Sequence, residues 1–116
     1  MIRLLLVAII LFTSCSSSKK NVTTVNDHGN EIGVGEKIIR GSDCIVCHKT
    51  TENLVVPSFI NISERYPNNK TNLDLLTNKI IHGGKGNWGE VPMLAHPSLS
   101  KEDATTMVQY ILSLKK

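Results

Sequence analysis

Aromatic side chains are scarce in this 116-residue chain: Phe12, Phe59, Tyr66, Trp88 and Tyr110 are all of them. Rings contribute much of the area that small cores bury, so a domain of this size is hard to stabilise from these side chains alone. Long apolar runs are missing too. The longest, Leu4–Phe12, has nine residues, whereas a helix needs about 20 to cross a hydrocarbon core. Basic runs stop at Lys19–Lys20 and Lys115–Lys116, and the formal net charge is only +3. That excludes a binder of phosphate backbones, so no nucleic acid is expected as a partner. Strand signals are nearly absent, "NLVVPS" being brief and broken by proline. No internal repeat occurs.

What is present begins with an export pattern. Arg3 precedes the apolar run, and small polar residues lead to Cys15. The stretch "FTSC" resembles the lipobox of bacterial lipoprotein signals, with Phe12 where leucine is usual. The resemblance implies removal of residues 1–14, lipid on Cys15 and a charge of +2 after Arg3 is lost. It also accounts for the third cysteine, which would otherwise be an unpaired thiol in an oxidising compartment. Residues 15–32 then read as the lipidated cysteine and a polar tether spanning roughly 20–25 Å. His28 falls in it as a solvated side chain. Residues 33–116 form the domain.

Helical signals fill that domain. Ser100 caps a C-terminal helix in which Ala104, Met107, Val108, Ile111 and Leu112 make an apolar stripe. Thr71 caps a helix that Gly83 stops. "PSFINISERY" starts another at Pro57, and "GEKIIRGSDCIVCHK" gives a shorter one whose end holds a cysteine pair. Between residues 83 and 97, four glycines and two prolines predict one long irregular loop. The fold class is therefore all-α, with about four short helices, and long loops in compact domains usually carry function.

The cysteine pair is "CIVCH", Cys44, Cys47 and His48. Residues i and i+3 share a helical face, so the two thiols can add to the two vinyl groups of a haem. His48 then supplies an axial nitrogen to the iron. A dithiol redox pair would need a βαβ setting that is missing here. Zinc would need four ligands, so His82 or His96 would have to complete the set. A structural disulfide with an incidental histidine is the plainest alternative. The haem reading accounts for all three residues and supplies the missing core material. For a second protein ligand, Met1 lies in the signal and Met107 on the apolar stripe, which leaves Met93 in the glycine-rich loop. His82 and His96 are rivals for that position.

Residues 33–116 resemble the small bacterial class I monohaem cytochromes c. The resemblance rests on "CIVCH", "VPSF", "IHGGKGNWGEVPM" and "MVQYILSL". It implies one covalent haem c, thioethers at Cys44 and Cys47, and His48 and Met93 as axial ligands. It further implies that the Pro57 carbonyl takes the imidazole N–H and that the Trp88 indole meets a haem propionate. Ile38 and Tyr110 would stand at the crossing of the first and last helices. His96 stands where asparagine often touches the methionine sulfur. The expected activity is electron transfer, not catalysis, by a monomer lipid-anchored to a membrane and facing the periplasm. Ser16 after Cys15 resembles the outer-membrane-directed case. Partners would be redox proteins such as a quinol-oxidising complex and a terminal oxidase or reductase. An open or histidine-ligated sixth position, as in a peroxidase or gas sensor, is the competing reading.

Overall fold

The computed structural model describes residues 28–115. The expected signal segment, Cys15 and the tether to residue 27 lie outside the described residues. Helix α1 spans His28–Arg40, with Glu31 in its first turn and Lys37 and Arg40 in its last, charges that suit the helix dipole. Residues 28–32, expected in the tether, are instead its opening turns. The reason is tertiary: Gly35 is buried against α5 and Ile32, one turn earlier, is half-buried, so the helix extends outward from that contact.

The single helix expected across "GEKIIRGSDCIVCHK" is two. The Gly41 N–H bonds Lys37 O at 3.1 Å and the Ser42 hydroxyl bonds Ile39 O at 2.8 Å, closing α1. A separate turn, α2, spans Cys44–Cys47 and has no buried residue. Helix α3 covers Phe59–Arg65, so it begins two residues after the expected start at Pro57, and Ser58 caps it by accepting the Asn61 N–H. Helix α4 covers Lys70–His82 and is capped by Asn69, two residues before the expected Thr71. Asn69 has the extended backbone that lets its side chain reach the Asn72 N–H, while Thr71 already lies within the first turn. Helix α5 spans Lys101–Ser113, and Ser100 caps it at Asp103 as the sequence indicates.

The irregular loop contains a small antiparallel hairpin, β1 (Gly84–Gly86) and β2 (Gly89–Met93). Its glycines are what make it possible. Gly84, Gly86 and Gly89 take φ of 111, 133 and 106°, conformations closed to most side chains. Density of breakers here encodes a tight turn around Asn87 and Trp88, not the absence of structure.

The α5 stripe is buried throughout, with Ala104 and Val108 wholly inaccessible, and meets Ile39 of α1, Phe59 of α3 and Ile80 of α4. Each large side chain buried there contributes about 1.5–3 kcal/mol. The most extensive contact is between α1 and α5. Ile38 and Tyr110 pack at its edge, but the close approach belongs to Gly35. A Cβ there would lie 2.3 Å from Thr106 O.

Candidate haem cleft

Phe59, at the start of α3, faces back toward the cysteine turn. Its N–H bonds Lys49 O at 2.9 Å, and the next amide, Ile60, bonds Thr50 O at 3.1 Å. The Ser58 N–H reaches Asn53 Oδ1 at 2.9 Å. These bonds fold residues 48–57 into a closed loop and bring His48 beside Pro57. Nδ1 of His48 lies 2.7 Å from Pro57 O. A carbonyl can only accept, so Nδ1 carries the proton, and in the neutral ring Nε2 keeps its lone pair. The imidazole also stacks on Phe59, centroids 5.5 Å apart at 22°.

Cys44, Cys47, His48, Pro57, Trp88 and Met93 all line one cleft, walled by Ile39, Ile80, Met107, Val108 and Ile111 from the core. Cys44 and Cys47 are free thiols one turn apart on α2. Met93, at the end of β2, is partly buried against the core, and its backbone pairs with Gly84. Of the two rival histidines, His96 lines the cleft and His82 does not. Nε2 of His96 bonds Asp43 Oδ1 at 3.2 Å, tying the loop after Met93 to the residue before Cys44.

Trp88 sits at the hairpin turn, 39% exposed, with the Arg65 guanidinium 4.5 Å above its ring. Beside it Asn87 Nδ2 donates to the Tyr66 hydroxyl at 2.9 Å. The end of α3 thus clasps the hairpin tip through a cation–π contact and a hydrogen bond. Sequence reasoning had no signal for Asn53, Arg65 or Asp43, since each acts through a partner distant in the chain or through local loop geometry.

Val55 is 78% exposed, Leu94 73% and Val91 50%, and all three line the cleft. So much aliphatic surface around an apolar cleft suits a large apolar group. Two thiols on one turn and an imidazole with a dedicated proton acceptor match the donor set for covalent haem. The residues fit the group.

A helical domain built around such a cleft, with thiols and imidazole on one wall, is a haem-holding protein of the class I cytochrome c fold. Residues 34–115 match the sequence model of the Cytochrome c family. Cytochrome c-551 of Azotobacter vinelandii is 37% identical over 81 residues, covering 70% of this chain and 98% of its own. Cytochrome c-552 of Hydrogenobacter thermophilus is 32% identical over 80 residues, 69% of this chain and 81% of its own. The crystal structure of Nitrosomonas europaea cytochrome c552 superposes with a TM-score of 0.64 at 30% identity, covering 69% of this chain and 99% of that one. The chain belongs to the cytochrome c family. Its cofactor is one covalent haem c, and it is an electron-transfer protein, not an enzyme.

Proposed function

We propose that this chain is a membrane-tethered carrier of single electrons whose haem, joined to Cys44 and Cys47, has His48 and Met93 as its axial ligands. When bound, the haem supplies one-electron cycling between Fe(II) and Fe(III). The chain's own residues hold it, exclude water and fix the ligand set. The observation that carries the reading is the His48–Pro57 bond, which leaves Nε2 as the nitrogen available to a metal and makes it a more basic ligand. Met93 completes the pair from the end of β2, only partly buried, whereas Met107, which also lines the cleft, is 1% exposed and packed within the α5 stripe. Trp88, braced by Arg65, offers its indole N–H to a propionate.

Two protein ligands close the iron to substrates, which is why the reading favours a carrier over a peroxidase or gas sensor. A soft thioether favours Fe(II) and raises the potential within the roughly 0.8 V that axial ligands span. Lipid on Cys15 would hold the domain on the periplasmic face of a membrane, within reach of a quinol-oxidising donor and an oxidase or reductase acceptor. Holoprotein carrying Met93→Ala tests the ligand set. It should lose the long-wavelength sulfur-to-iron(III) charge-transfer band and fall in potential, while His96→Ala keeps the band. An unchanged spectrum in Met93→Ala would move the sixth ligand elsewhere.

A further inference from the structure

Gly83 ends α4, its N–H on Lys79 O at 2.8 Å, with φ 68° and ψ −153°. The segment that carries Met93 lies directly on it. A Cβ at residue 83 would stand 2.5 Å from Met93 O, 2.8 Å from Ala95 N and 3.0 Å from the Leu94 carbonyl carbon. All three are backbone atoms, so no side chain can swing aside to make room. Two further ties hold the same segment to the same helix end. The His96 N–H bonds Ile80 O at 3.1 Å, and Gly84 pairs with Met93 across the hairpin. The main chain of residues 93–96 is thus seated against the end of α4, at a distance that only a residue without a side chain allows.

We propose that Gly83 is a positioning residue for the sixth iron ligand: the bare α-carbon sets how far the Met93 backbone stands from α4, and so where its thioether is presented. This rests on Met93 being the ligand. A larger residue would push the Met93 segment outward and lengthen or break the sulfur–iron bond, since the three atoms nearest its Cβ all belong to that segment and none to Cys44, Cys47 or His48.

Neighbouring glycines separate this effect from ordinary backbone strain. Gly86 has φ 133°, also unfavourable for a side chain, yet a Cβ there would meet nothing within 4 Å. Gly86→Ala therefore strains the hairpin without moving the Met93 segment, whereas Gly83→Ala does both.

The experiment compares the wild-type, Gly83→Ala and Gly86→Ala holoproteins in the ferric state. Expected for Gly83→Ala is loss of the charge-transfer band, a lower reduction potential and cyanide binding about tenfold tighter, equivalent to 1.4 kcal/mol. Gly86→Ala should keep the band and the wild-type cyanide affinity. Denaturant unfolding of the cyanide complexes, in which cyanide has replaced Met93 throughout, should give similar midpoints for the two variants. An intact band in Gly83→Ala overturns the proposal, and so does equal loss in both variants. A Gly83→Ala protein that fails to accumulate, or whose cyanide complex unfolds far earlier than that of Gly86→Ala, also overturns it by making Gly83 a requirement of the whole fold. Absence of the band from the wild type would instead remove the Met93 reading on which the proposal stands.

Discussion

His48 and Pro57 are joined across nine residues by a 2.7 Å hydrogen bond from imidazole Nδ1–H to carbonyl oxygen. With His48 as the proposed iron ligand, the bond would feed electron density to the ring and so stabilise the ferric state. Pro57→Gly keeps the carbonyl but frees the backbone that aims it. The potential should then rise by up to about 40 mV, taking a net bond of about 1 kcal/mol and 59 mV per tenfold for one electron. Protein-film or equilibrium voltammetry reads this, and a potential that falls would reverse the assigned role.

Two glycines one helical half-turn apart on α1 should respond oppositely. Gly35 faces Thr106 O and Tyr110 Cβ so closely that Gly35→Ala must pry α1 from α5, destabilising by about 1–3 kcal/mol. At Gly33 a Cβ meets nothing within 4 Å, so Gly33→Ala should stabilise by about 0.5–1 kcal/mol through the unfolded state. Guanidinium unfolding followed by circular dichroism measures both. Equal effects would deny that Gly35 sets the helix spacing.

Tyr110 gives an alkaline signature. Burial first, then the Glu36 carboxylate, pushes its hydroxyl above the usual value of 10.0, while Arg40 opposes them. With the folded value raised, the unfolded chain loses this proton first. The associated stability is complete below pH 10 and is lost as pH climbs toward the folded value. Stability against pH should therefore fall less steeply above pH 10 in Tyr110→Phe than in the wild type. Parallel curves would mean that the hydroxyl is not perturbed.

The tether is tested at Cys15. Cys15→Ser should leave the visible spectrum intact and either release the protein from the membrane fraction or block its signal cleavage. Several acyl chains together anchor almost permanently, whereas one binds marginally. Wild-type protein recovered wholly soluble and without lipid would sink the anchored reading.

The α5 stripe and its Ser100 cap were readable because helical periodicity and cap chemistry are local. Cys44, Cys47 and His48 were readable because their chemistry demands that spacing. The hairpin was not. Its glycines look like breakers in a sequence, and only the positive φ at Gly84, Gly86 and Gly89 shows that they build a turn. Asn69 displaced Thr71 as a cap for a similar reason, since both residues suit the role and the backbone chooses between them. Non-local ties such as His96 to Asp43, 53 residues apart, leave no trace in either neighbourhood.

Trp88 is the only tryptophan in the chain, and it stands at the hairpin turn on the cleft wall, under Arg65. Indole emission from the protein therefore comes from one point, beside the cofactor site. Haem absorbs where indole emits, so energy transfer should darken the loaded protein and leave the haem-free chain bright. Any movement of the hairpin away from the cleft would restore part of that light. Nature has in effect placed an optical gauge on the wall that carries Met93, readable without a label.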